Sequence, residues 1–180
     1  MIRGDKVLLR ALERSDVERC HRWFNDPAVV EYLPATYPVS MAQEQAIIER
    51  QTASSDDLYL AIEAENGQHI GSTGLHRINR RCLNAELRIA IGEKEYWGKG
   101  YGTDAVKALS AFGFDQMNLH KVYLYVFDFN LRGIACYRRC GFRQEGAWRE
   151  HHYYGGKYCD VLTMGLLRAE FEQLRQTGQG

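Results

Sequence analysis

Across residues 58–91 the chain takes up a period of two, and this stretch restricts the possible folds more than any other part of it. Residues 58–63 and 68–77 flank Asn66-Gly67, a dipeptide that tolerates positive φ and so favours a tight hairpin. A third alternating run, residues 83–91, sets Leu83, Ala85, Leu87, Ile89 and Ile91 on one face and Asn84, Glu86, Arg88 and Ala90 on the other. Three successive strands of this kind predict a mostly antiparallel sheet with an apolar face that something must cover.

The covering elements are legible on either side. Residues 6–11 alternate like an outer strand. Ser15-Asp16-Val17-Glu18 reads as a capping box opening a helix with Val17, Cys20, Trp23 and Phe24 on one stripe, stopped by Asn25-Asp26-Pro27. Residues 29–39 are irregular and aromatic, and Ser40-Met41-Ala42-Gln43 is a second capping box for a helix running to about Thr52. Further on, residues 103–117 predict a helix whose buried side carries Ala105, Val106, Leu109, Phe112 and Gln116-Met117. A strand over 121–127 follows. Asn130 then caps a helix ending at Cys140, with Gly141 at C′, and two strands (142–148 and 158–166) join through Gly155-Gly156. The order predicts an α/β fold: a single mixed, mostly antiparallel central sheet flanked by helices. At 180 residues the chain suits one domain over 1–180.

Charge and composition narrow the partners. Lys+Arg and Asp+Glu balance at 23 each, so no general attraction to nucleic acid or an anionic membrane is expected. No apolar run approaches the roughly 18 residues of a membrane span, and residues 1–10 lack the core of a signal peptide. The five cysteines are scattered with no C-x-x-C, which fits reduced thiols and a cytoplasmic location. Cys136 and Cys140 stand one helical turn apart; with no paired histidines nearby, packing is preferred to a metal site and no metal is expected.

The chemistry is concentrated in residues 95–103, EYWGKGYGT, between a strand and a helix. Gly98, Gly100 and Gly102 let backbone approach a ligand, and the following helix aims free N–H groups and its positive end at the loop, a phosphate site with Lys99 as a mobile cation. A steric origin for the glycines would give the same pattern. Neither G-x-x-x-x-G-K-[ST] nor G-x-G-x-x-G is present, which argues against nucleotide hydrolysis and Rossmann-type binding.

Some thirty residues later comes N-x-x-G-I-A-x-Y-x-x-x-G-F, from Asn130 to Phe142. With the glycine loop it resembles the paired signatures of the GNAT superfamily of acyl-CoA N-acyltransferases. The opening VLLRALERSDVERCHRWFNDPAVVEYL and the closing GAWREHHYYGGKYCDVLTMGLL resemble its RimJ/RimL branch, which also includes spermidine acetyltransferases. Trp97 stands where the family usually has Gln or Arg, and Gly133 where it often has Ala.

The resemblance implies acetyl-CoA as co-substrate and a splayed central strand pair. Its pyrophosphate would lie on Trp97, Gly98, Lys99, Gly100, Tyr101, Gly102 and Thr103, and its arm along Ile89, Ala90, Ile91 and Asn130. Tyr137 would be the general acid, and Glu86 the base, directly or through a water. Read from the residues alone, Tyr137 is equally a packed helix aromatic and Glu86 a solvated strand residue. His151 and His152, beside Glu150, would line the acceptor side or be exposed; Tyr32, Tyr37, Tyr153 and Tyr154 form an acceptor wall or ordinary packing. The implied acceptor is a primary amine, either a peptide N-terminus or a small amine. A polyamine ranks lower because residues 31–38 carry one acid, and an antibiotic amine stands beside it. A non-catalytic acyl-CoA sensor is the rival class, weakened by the presence of Tyr137 and Asn130. The resemblance leaves pairing into a homodimer open.

Overall fold

The computed structural model describes residues 1–34 and 38–178. In chain order its elements are β1 (Ile2–Arg3), β2 (Val7–Ala11), α1 (Val17–Phe24), α2 (Pro27–Val30), α3 (Met41–Thr52), β3 (Leu58–Ala64), β4 (His69–Asn79) and β5 (Asn84–Ile91), followed by α4 (Tyr101–Asp115), β6 (Lys121–Phe127), α5 (Leu131–Arg139), β7 (Arg143–Tyr154), β8 (Lys157–Leu167) and α6 (Arg168–Gln176). The strands form one eight-stranded sheet in the order β1-β2-β3-β4-β5-β6-β8-β7. Every pairing is antiparallel except β5 with β6. The α/β class and the mostly antiparallel mixed sheet are as the sequence predicts. Among the described residues no helix is long and apolar enough to cross a membrane.

Apolar side chains fill both faces of the sheet. On one, Leu9, Ile62, Ile70, Leu75 and Leu87 meet Val106, Leu109 and Phe114 of α4 and Phe171 of α6. On the other, Ala61 meets Cys20 and Trp23 of α1, Val29 of α2 and Ile48 of α3. The period-two pattern of β3–β5 thus holds because each strand has helices to bury against.

Several local expectations are corrected. The first capping box sits two residues earlier than predicted. A short 3-10 turn over Arg14–Asp16 precedes α1, and it is Asp16, not Glu18, whose carboxylate accepts the N–H of Glu13 at 2.9 Å. Arg10 fixes that carboxylate from below with bonds of 2.7 and 2.8 Å. A short helix, α2, runs into the start of the irregular segment; its cap is Asp26 accepting the N–H of Ala28, so Asp26-Pro27 starts a helix as well as ending one. On α4 the core aromatic is Phe114, 1% exposed. Phe112 is only partly buried and Gln116 is exposed. Leu83 lies before β5 at φ +52°, so the apolar row begins at Ala85. The final hairpin runs further than predicted, over β7 and β8, and α6 is an addition to the predicted elements. The second capping box (Ser40 with Gln43), the Asn130 cap and Gly141 at C′ with φ +90° stand as read.

Candidate active site

The site opens where two strands part. β5 and β6 share only three register pairs, Asn84↔Lys121, Ala85↔Val122 and Glu86↔Tyr123. Beyond them β5 continues to Ile91 paired with β4, and β6 to Phe127 paired with β8. Each strand keeps its outer partner and loses its inner one, which is the predicted splay. The gap is a cleft of about 560 Å3 lined by Glu86, Ile89, Ala90, Ile91 and Tyr137 among others. Trp97 closes one end: its indole N–H donates to the Ile91 carbonyl at 2.7 Å.

Over the cleft mouth lies the glycine loop. Gly98 and Gly100 take φ of +73° and +90°, a region that costs a side chain about 1–2 kcal/mol. Gly100 is the N-cap of α4 and offers no side chain to its free N–H groups. By contrast, Ser40 caps α3 and Asn130 caps α5 through side-chain oxygens. The one acid in the first turn, Asp104, is turned away and accepts the backbone N–H groups of Asp5, Lys6 and Val7 at 3.0, 2.8 and 3.0 Å. What remains is an uncapped, positively polarised helix start facing the cleft, suited to a diphosphate.

Two cations join it that the sequence reading did not name. Lys6 Nζ donates to the Lys99 carbonyl at 3.1 Å, and the Arg132 guanidinium lies 4.1 Å from the Trp97 ring centroid. Lys6 is distant in sequence and carried no local signal. Arg132 stands inside the second signature and went unnamed. Gly100→Ala should weaken acetyl-CoA binding about tenfold, because the loop must be driven back into the left-handed conformation to bind. Calorimetry checks this, with an unchanged melting temperature as the control.

The two side chains expected to handle protons, Tyr137 and Glu86, face the same space. Tyr137 lines the cleft with its ring edge-on to Phe142, and burial pushes its phenol above the ordinary range. Such a phenol keeps its proton across the neutral range. Glu86 is only 4% exposed, which corrects the solvated alternative. Arg88 binds it through Nε at 2.6 Å and Nη2 at 3.1 Å, and Arg77 approaches at 3.4 Å. Opposite it in register is His76, which burial, reinforced by Arg88, pushes down to about 4.

Residues 6–143 match the family described as Acetyltransferase (GNAT) domain. The chain belongs to the GNAT acetyltransferases. It is 28% identical over 168 residues to the spermidine N(1)-acetyltransferase of Vibrio cholerae, covering 93% of this chain and 96% of the other. To the Escherichia coli spermidine N(1)-acetyltransferase it is 29% identical over 165 residues, with 92% and 88% covered. The crystal structure of the Vibrio cholerae spermidine N-acetyltransferase in complex with CoA and spermine superposes with a TM-score of 0.86 at 28% identity, covering 94% of this chain and 99% of that one. The protein is an acetyl-CoA-dependent N-acyltransferase, with acetyl-CoA as co-substrate.

In this acetyltransferase the cleft gathers Ile89, Ala90, Ile91, Trp97, Gly98, Gly100, Gly102, Thr103, Asn130, Tyr137 and Glu86. The side chains of Lys99 and Tyr101 lie outside it; the Tyr101 hydroxyl donates to Glu65 at 2.9 Å. His151 and His152 both line the cleft, although consecutive strand residues should face opposite ways. A bulge between Trp148 and His152, with Glu150 at φ +50°, breaks the alternation. His152 then stacks on Phe127 with centroids 4.0 Å apart. Tyr32 also lines the cleft, whereas Tyr153 and Tyr154 do not: Tyr154 stacks on Phe129 and Tyr153 meets Tyr158. Tyr37 lies outside the described residues. Cys136 and Cys140 pack α5 on the start of α4, at 3.3 Å from Thr103 Oγ1 and 3.5 Å from its carbonyl.

Proposed function

We propose that this acetyltransferase acts on the primary amine of a small aliphatic polyamine, with Tyr137 as general acid and Glu86 as base. The observation that carries the reading is the meeting of Tyr137 and Glu86 in one cleft, where the parted strands leave backbone groups unpaired beside the glycine loop. The acceptor class draws support from the relatives described as spermidine acetyltransferases. It displaces the peptide N-terminus favoured by the RimJ/RimL-like ends. Residues 31–38 have one acid; the cleft itself adds a second carboxylate, Glu86, paired with Arg88 and Arg77.

A primary amine has a pKa near 10, so only about one in a thousand is neutral at pH 7. Glu86 takes its proton, directly or through one water, while Arg88 and Arg77 hold the carboxylate in place. The backbone around Ile89, Ala90 and Ile91 is aimed at the carbonyl where charge gathers. Acetyl-CoA supplies an activated thioester, and Tyr137 returns a proton to the departing sulfur. Lys6, Arg132 and the uncapped start of α4 hold the diphosphate far from these steps.

The deciding measurement is CoA release, followed by a thiol reagent, over spermidine, Ser- and Ala-starting peptides and an aminoglycoside. Spermidine should exceed the peptides in kcat/KM by at least about tenfold. Preference for a peptide would overturn the acceptor class. Tight acetyl-CoA binding without turnover of any amine would favour the sensor reading.

A further inference from the structure

On the α1–α3 side of the sheet lies a second cavity of about 270 Å3. It shares Leu33, Pro34, Arg88, Ile89 and Ala90 with the cofactor cleft, so the two spaces meet along the parted half of β5. Its walls are largely apolar, with Leu12, Phe24, Ile48 and Leu60 supplying carbon surface. Into it faces Glu44 of α3, which is 2% exposed. Among the described residues the Glu44 carboxyl has no hydrogen-bond or ion-pair partner, unlike the other deeply buried acids Asp16 and Glu86.

A carboxyl buried without a partner is costly to a folded protein unless something else satisfies it. Burial pushes the Glu44 carboxyl up, and His21 opposes that only in part. We infer that this cavity receives the far end of the acceptor and that Glu44 binds a second ammonium group there. The acceptor class is therefore a flexible diamine or polyamine: one amine reacts in the cleft beside Glu86, methylenes pass Ile89 and Leu60, and the distal cation pairs with Glu44. Cation and carboxylate then satisfy each other in a water-poor space, where a charge-assisted hydrogen bond is strongest. The inference rests on the amine-acetylation reading and adds to it a specificity-determining residue.

The test compares an α,ω-diamine with the n-alkylamine of the same chain length. Parent enzyme should favour the diamine. Glu44→Gln should reduce the diamine-to-monoamine ratio of kcat/KM by about tenfold or more, with monoamine turnover and acetyl-CoA affinity within about twofold of parent. A ratio unchanged in Glu44→Gln would overturn the assignment. Glu44→Asp gives a second reading that survives if the glutamine variant does not fold: with the charge drawn back, the preferred diamine should lengthen by about one methylene, and an unchanged length preference counts against the subsite. If the parent acetylates no amine, calorimetry of the diamine with acetyl-CoA-loaded protein still reads Glu44. Binding lost in Glu44→Gln keeps the subsite while the catalytic reading fails, and binding equal in both removes the subsite as well.

Discussion

Tyr137→Phe should lower kcat by about 10²–10⁴-fold while leaving acetyl-CoA affinity nearly unchanged. The ring stays edge-on to Phe142 and its packing is kept, so only the proton donor is lost. Because burial raises this phenol, the parent should retain its acid form throughout the neutral and mildly alkaline range. Single-turnover kinetics with an amine of low pKa, which needs little help from the base, separate the two roles. Tyr137→Phe should remain impaired with that amine, whereas Glu86→Gln should recover much of its deficit. Turnover of Tyr137→Phe within twofold of parent would remove Tyr137 from the mechanism.

Arg10→Leu is expected to destabilise the fold by about 3–5 kcal/mol, or on the order of 10 °C in melting temperature. Asp16 is 4% exposed and accepts from Nη1 and Nη2 of Arg10, the bonds that hold the first turn before α1 to strand β2. Burial alone would push its carboxyl up; the Arg10 bonds and the Glu13 N–H outweigh this and hold it below the ordinary value. With a lowered folded pKa, the parent draws stability from Asp16 at every pH above the unfolded value near 3.9. That stability drains as pH falls through the folded pKa. In Arg10→Leu burial wins, the folded pKa rises, and acidification from pH 7 towards 4.5 should restore part of the loss. His69 Nδ1, 3.0 Å from Asp16, belongs to the same cluster, and burial pushes its pKa down. Thermal unfolding of both proteins across this pH range checks the sign. A gap that widens on acidification would contradict the account.

The fold was legible where the chain follows a period enforced by burial on one side. Strands β3 to β6, the Ser40 and Asn130 caps and the helix after the glycine loop all appear within a few residues of their predicted bounds. Misreadings cluster where a tertiary partner decides. Glu18 looks as good a capping acid as Asp16 until Arg10, on a neighbouring strand, draws Asp16 into place. Phe112 and Phe114 lie about 200° apart around α4, and the position of α6, with Phe171 stacked on Phe114 at 4.8 Å, helps to select which of them is buried. His151 and His152 share one cleft because of a bulge that no local propensity announces.

The sequence by itself determined the strand periodicity, the uncapped glycine entrance to α4 and the ordered pair of signatures, since each depends on residues adjacent in the chain. Tertiary structure alone decided what surrounds those features. It brought Lys6 to the carbonyl of Lys99, buried Glu86 between Arg88 and Arg77, and placed Glu44 without a partner in the cavity beside the cleft. The reason is physical: backbone conformation follows from local sterics and hydrogen bonding. Desolvation and charge pairing are set by whatever distant segments fold against a residue, and those are the quantities from which acids, bases and specificity are made.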